Sequence, residues 1–220
     1  KALKDLTRFD KIPNHPAYKM FIDKRRLNDY HDRLYVTWHF YDWVNKLIPN
    51  KFPVIKEDHP RAIIPFLDID NKMFAFQGRA FGDEQPKYIT IKLDEKKRRI
   101  YGLDKLDVNK TIYITEGPID SLFLPNAIAV AGSDLEVQTL KQKATYVFDN
   151  EPRSIEIVNK MKKLIEKNYN ICIWPKSLKY KDINDMIMSG MSPVEVQGII
   201  DNNTFSKLSA HQQLVNWKEV

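Results

Sequence analysis

Hydrophobic positions along this 220-residue chain change their spacing near residue 110. Over residues 17–48, Tyr30, Leu34, Trp38, Tyr41, Val44 and Ile48 recur at three or four residues, the spacing of one helix face, and predict a helix there. The run also holds Tyr35, Phe40 and Trp43. Such aromatics can stack on single-stranded bases, but at helical period they read more simply as a face packed on a core. Ile63–Asp68 and Lys72–Phe76 read as two strands joined through Asp70-Asn71, and Tyr88–Leu93 and Arg99–Leu103 as further short strands. Beyond Lys110 the pattern alternates. Short β-branched runs at Thr111–Thr115, Ala127–Ala131, Thr145–Phe148 and Asn170–Trp174 are followed by helix-like Ser121–Leu124, Leu135–Gln142, Ser154–Asn168 and Asp182–Ser189. Buried strands alternating with helices predict a parallel sheet with right-handed crossovers. Ser192-Pro193-Val194-Glu195 is a capping box with proline at the first helical position and starts a helix to about Asn202. A last short helix over 204–220 would dock through Leu208, Leu214 and Trp217.

Composition narrows the class. The chain is 43% hydrophobic and 29% charged, as a globular protein of this size is. No apolar run approaches the ~20 residues of a membrane span, no signal peptide precedes the fold, and a cytoplasmic setting is expected. A single cysteine, Cys172, excludes a disulfide framework within the chain. Histidines 15, 31, 39, 59 and 211 lack zinc-ligand spacing. Only 7 glycines occur, none in a phosphate-cradling G-x-x-x-x-G-K-[ST] loop, which removes a P-loop motor. The opening at Lys1, without methionine, fits a piece of something longer.

The charge becomes informative when divided. Residues 1–108 carry 22 basic and 16 acidic side chains, the whole excess of +6, whereas residues 109–220 carry 13 of each. A polyanion surface is therefore expected in the first half. Three parts follow: a basic α+β subdomain over 1–108, an α/β subdomain over 109–190 and a helical tail over 191–220.

Ligands of open parallel sheets sit beyond the carboxyl ends of the strands. At those ends stand Glu116-Gly117 with Asp120 a helical turn on, then Asp149-Asn150-Glu151, then Lys181-Asp182 and Asp185. Six carboxylates at one sheet edge would repel, and burial would raise their pKa values. A divalent cation with a preference for hard oxygen ligands resolves this, Mg²⁺ above all.

The strings ITEGPID (Ile114–Asp120), FDNE (Phe148–Glu151) and KDIND (Lys181–Asp185) resemble the Toprim domain shared by bacterial-type primases, topoisomerases and some nucleases. The second Toprim motif is usually D-x-D. Here it reads Asp149-Asn150-Glu151, which keeps the charge but lengthens one arm by a methylene. In the basic half, RAIIPFLD (Arg61–Asp68), FAFQGRAFGDEQPKYI (Phe74–Ile89) and EKKRRIYGL (Glu95–Leu103) resemble the run of G-G-R, P-K-Y and K-x-R-x-x-Y-G-L in DnaG-like primases, those of tailed phages above all.

The resemblance implies an RNA polymerase core that joins NTPs into short RNA primers on single-stranded DNA by metal-dependent nucleotidyl transfer. It implies a Toprim-type parallel sheet flanked by helices, with the basic α+β subdomain ahead of it. Glu116, Asp149 and Glu151 are the expected principal ligands of two or more Mg²⁺ or Mn²⁺ ions, with Asp120, Asp182 and Asp185 secondary. Glu116 could instead act as a general base. Arg61, Arg79, Lys87 and Lys96 are expected to line the cleft and bind triphosphate and template. A zinc domain is expected upstream and a replicative helicase on a separate chain, in the host cytoplasm if the chain is phage-encoded. A Toprim nuclease using the same carboxylates and a non-catalytic single-strand-binding module are the alternatives.

Overall fold

The structure is a computed structural model that describes residues 2–53, 57–131 and 136–220. It divides into two compact units, Lys1–Arg99 and Ile100–Val220.

The first unit is built on a five-stranded antiparallel sheet, ordered β1 (Thr7–Arg8), β2 (Tyr35–Thr37), β3 (Arg61–Leu67), β4 (Met73–Ala80) and β5 (Tyr88–Lys92). The β3–β4 hairpin turns through Asp70-Asn71 as its sequence predicts. Asp68 Oδ1 accepts from the backbone N–H of Asp70 (3.1 Å) and Lys72 (2.9 Å), and Asn71 takes a left-handed φ of 58° that asparagine tolerates. The long helix predicted over 17–48 is not there. That stretch holds α1 (Pro16–Tyr18), a π turn (Lys19–Asp23), a 3₁₀ turn (Asn28–Arg33), β2 and α2 (Phe40–Leu47). The three-to-four spacing was a coincidence across separate elements. Tyr35-Val36-Thr37 favours a strand, and its pairing with Ile63, Ala62 and Arg61 outweighs helical period. The reading of the aromatics as core holds for Phe40 and Trp43, which pack with Val44 on Ile63, Phe76 and Ile91.

The second unit carries a six-stranded sheet in the order β11-β10-β9-β7-β8-β6. Its strands are β6 (Ile100–Tyr101), β7 (Ile112–Thr115), β8 (Ala127–Val130), β9 (Ala144–Val147), β10 (Asn170–Cys172) and β11 (Thr204–Phe205). The four central strands run parallel and both edges are antiparallel. The helices are α3 (Pro118–Leu122), α4 (Ile155–Glu166), α5 (Ile183–Met188), α6 (Pro193–Asn202) and α7 (Lys207–Trp217). Ser154 caps α4, and Ile157, Val158, Met161, Leu164 and Ile165 form its buried face. Each is worth roughly 1.5–3 kcal/mol when fully buried. The capping box at Ser192 and Glu195 is present in full.

Three expectations change here. Residues 100–101 were assigned to the basic half, yet Ile100 and Tyr101 pair with Val130 and Ala129 at the edge of the second sheet. Gly102 makes the turn that follows, with φ 90°. A Cβ there would lie 2.8 Å from the Ala127 carbonyl oxygen, so both conformation and space require glycine. The tail is part of the second unit: β11 pairs with β10, and Ala210, Leu214 and Trp217 join the core cluster of α4. Leu208, expected to dock, is 80% exposed. Of the helix expected over Leu135–Gln142, Leu135 lies outside the described residues and the remainder forms only a 3₁₀ turn at Gln138–Leu140.

Candidate active site

The strand order reverses at β7. The chain passes from β7 to β8 on one side and then returns to β9 on the other, which opens a crevice beyond the carboxyl ends of β7 and β9. Register then fixes which residues meet there. Thr115 pairs with Val147, so Glu116 leaves β7 level with Phe148, one residue before Asp149.

The carboxylates expected at this edge are held in different ways. Asp149 is half-buried at the centre. Desolvation, with the charges of Glu116, Asp182 and Glu151 adding to it and Lys181 opposing, pushes its carboxyl up to about 7. Glu116 accepts from Lys160 Nζ at 2.7 Å, and Lys160 bridges on to Glu156 at 2.8 Å. Glu151 pairs with Lys181 at 2.9 Å. Asp182 caps α5, its Oδ1 accepting from the Asp185 N–H at 2.7 Å. Asp120 Oδ1 accepts from the Asn184 N–H at 2.9 Å, which ties the starts of α3 and α5 together. Asp185 is exposed on α5. Glu116, Asp182 and Glu151 therefore each act on Asp149 electrostatically, whereas Asp120 is engaged by backbone and Asp185 faces water.

Lys181 stands at this edge as its strand end predicts, but its pairing with Glu151 and the presence of Lys160 were not expected. Each lysine supplies a positive charge beside a carboxylate, and Lys160 comes from the middle of α4, 44 residues from Glu116. It reaches Glu116 only through the packing of α4 within the second unit, so no sequence spacing could have shown it.

The basic residues expected to bind nucleotide lie on the first unit. Arg61 is 0% exposed. Its Nη1 donates to the carbonyls of Pro86 (3.0 Å) and Lys87 (3.3 Å), and its guanidinium sits 5.2 Å from the centroid of the Phe40 ring. Arg61 thus shapes the Pro86-Lys87 segment from within rather than lining a cleft. Arg79 is buried as well, its Nε donating to the Tyr88 hydroxyl at 2.9 Å. Lys87 and Lys96 are exposed. Burial of the two arginines follows from their place on β3 and β4, central strands whose residues are nearly all buried.

Among the described residues, the one trio of potential ligands whose atoms lie within 4.8 Å of one another is His39, Asp42 and Asp58, in the first unit. Asp58 there accepts from the N–H groups of Tyr41 and Asp42 at the start of α2, and from that of its neighbour His59, which accounts for its position as a helix-terminus acceptor.

No family model matches the chain. Its sequence is 35% identical over 230 residues to the DNA primase of Enterobacteria phage T4, an alignment that takes in the whole of this chain and 66% of that protein. The chain belongs to the DNA primase family. It spans about two thirds of the length of the phage primase. Among solved structures it resembles the zinc-binding and RNA polymerase domains of the Aquifex aeolicus primase, with a TM-score of 0.64 at 16% identity over 90% of this chain and 60% of that one. It also resembles a DnaG primase catalytic domain bound to single-stranded DNA, with a TM-score of 0.62 at 16% identity over 94% of this chain and 79% of that one. At those identities the likeness shows the fold, which is that of the DnaG primase catalytic core. The mixed α/β architecture, with its mostly parallel second sheet, is the one the sequence leads us to expect. In this primase-family chain the switch point of that sheet is where the acidic motifs fall.

Proposed function

We propose that this chain is the RNA-polymerising core of a phage-type primase and makes short RNA primers on single-stranded DNA from NTPs. The observation that carries the reading is the gathering of Glu116, Asp149, Glu151 and Asp182 at the β7/β9 switch point, with the central carboxyl held near neutrality by burial and like charge. An oxygen-only donor set that keeps more carboxylates than the two lysines beside it balances fits Mg²⁺ or Mn²⁺. Glu116, Asp149 and Glu151 would hold the ions, with Asp120 and Asp182 behind them. When bound, such ions supply charge neutralisation for phosphoryl transfer and activation of the attacking 3′ oxygen.

The remaining roles belong to the chain's own side chains. Lys160 and Lys181 balance Glu116 and Glu151 and keep those arms directed to one edge. Lys87 and Lys96, exposed, contact triphosphate and template as point charges. Arg61 holds the backbone that presents Lys87. Arg79, buried, holds the Tyr88 hydroxyl rather than contacting nucleotide. A separate helicase and an upstream zinc domain would complete the priming apparatus. Labelled NTPs, a mixed-sequence single strand and Mg²⁺ test the reading. RNA product is the expected result; cutting of the strand, or binding without product, would replace the reading with a nuclease or a binding module.

A further inference from the structure

We propose that Asn150 and Trp217 form a lock that fixes the Asp149–Glu151 loop in the conformation its carboxylates need to bind metal, which makes both of them positioning residues. The inference rests on the metal-dependent reading above.

Asn150 lies between two of the expected ligands, and every polar group of its side chain is used. Its Nδ2 donates to the carbonyls of Leu178 and Tyr180, each at 3.0 Å. Its Oδ1 accepts from the indole N–H of Trp217 at 3.1 Å. The Asn150 backbone N–H donates to the Lys181 carbonyl at 2.6 Å. One residue thereby joins three segments: the second acidic motif, the 178–181 segment that leads into Asp182, and the end of α7. Trp217 is 3% exposed within the core cluster of the second unit, so it is a rigid anchor for the bond it donates. The chain end adds two further ties to the same loop. The Glu219 N–H donates to the Pro152 carbonyl at 2.9 Å, and Arg153 Nε donates to Glu219 Oε2 at 2.8 Å.

The residue type follows from this geometry. An aspartate at 150 has no N–H to give the two carbonyls and would add a fourth negative charge beside Asp149. A glycine would give neither donor nor acceptor. Asn150 and Trp217 are thus a matched pair, and the tail contributes to the site from behind the loop. Groups that orient metal ligands from behind typically change metal affinity by about 10–100-fold when lost.

Trp217→Phe removes the N–H while keeping an aromatic ring in the core, and Asn150→Ala removes the hub. Both variants and the wild-type chain are titrated with Mn²⁺, with thermal shift and primer synthesis as parallel readouts. The expected result is a half-saturating Mn²⁺ concentration raised by about 10-fold or more in both readouts, with turnover recovered at saturating Mn²⁺ and Trp217→Phe folded but with a lowered metal-free melting temperature. A folded Trp217→Phe or Asn150→Ala with wild-type half-points would overturn the lock. If the wild-type chain made no RNA at any Mn²⁺ concentration, the primase reading would fall, and the thermal-shift comparison would still decide the lock.

Discussion

Replacing Asp149 by asparagine removes a carboxyl that the fold holds far from its ordinary range while leaving its shape. In the unfolded chain this group releases its proton near 3.8; in the folded protein burial, Glu116, Asp182 and Glu151 push that up to about 7. Between those values the folded state keeps a proton that the unfolded state has released. Stability from this group is therefore intact below about pH 3.8, falls as pH rises through the window, and is fully lost above about pH 7. At 1.36 kcal/mol per unit the loss comes to about 4 kcal/mol. Asparagine mimics the protonated acid at every pH. The metal-free Asp149→Asn protein should then exceed wild type by under ~1 kcal/mol at pH 4 and by about 4 kcal/mol at pH 7.5, and the difference should level off above that. Because the chain has two compact units, the readout should be confined to the second. Hydrogen exchange of peptides covering β7 and β9 in EDTA, corrected for its intrinsic pH dependence, reports opening of that unit. A variant no more stable than wild type at pH 7.5, or an advantage of equal size at pH 4 and pH 7.5, would refute the argument that burial and like charge dominate at Asp149.

Three further perturbations separate the parts of the account. Glu116→Gln removes the carboxylate that acts most strongly on Asp149, while Lys160 keeps Glu156 at 2.8 Å; the metal-free melting temperature at pH 7.5 should rise and the pH window of stability loss should move lower, as a set of melts from pH 4 to 8 will show. Lys87→Ala changes an exposed side chain, so stability should stay within ~0.5 kcal/mol of wild type while dinucleotide synthesis falls at least about tenfold; a fully active variant would remove Lys87 from nucleotide binding. Gly78→Ala places a Cβ 2.4 Å from Cε2 of the fully buried Phe40, and overpacking there should cost about 1–3 kcal/mol, read as faster exchange in β3 and β4.

The parallel centre of the second unit was legible because its strands are short apolar runs separated by helices, whereas the two-residue antiparallel edge strand β11 was hidden in what read as a helical tail. The first unit was less legible. A helical period drawn through Tyr30, Leu34 and Trp38 ignored that Tyr35–Thr37 gains more from pairing with β3 than from continuing a turn. The acidic residues could be named from their places at strand ends. Their unequal roles could not, because they depend on which neighbour each finds: Lys160 for Glu116, Lys181 for Glu151, the α3–α5 contact for Asp120. Burial of Arg61 was illegible for a related reason. Arginine is rarely fully buried, and here the Phe40 ring and the Pro86 and Lys87 carbonyls at Nη1 meet it while Nε and Nη2 find no hydrogen-bond partner among the described residues. Asn150 stood out in sequence as the centre of an altered motif, but its partner Trp217 lies 67 residues away.

The central claim is that the carboxylates beyond β7 and β9 carry nucleotidyl transfer. Its most direct test measures dinucleotide formation from labelled NTPs on a mixed-sequence single strand with Mn²⁺, for wild type, Glu116→Gln and Asp149→Asn, alongside single-strand binding by the same three proteins. The account predicts product from wild type alone, with binding retained in all three. Near-normal RNA synthesis by either variant would contradict it.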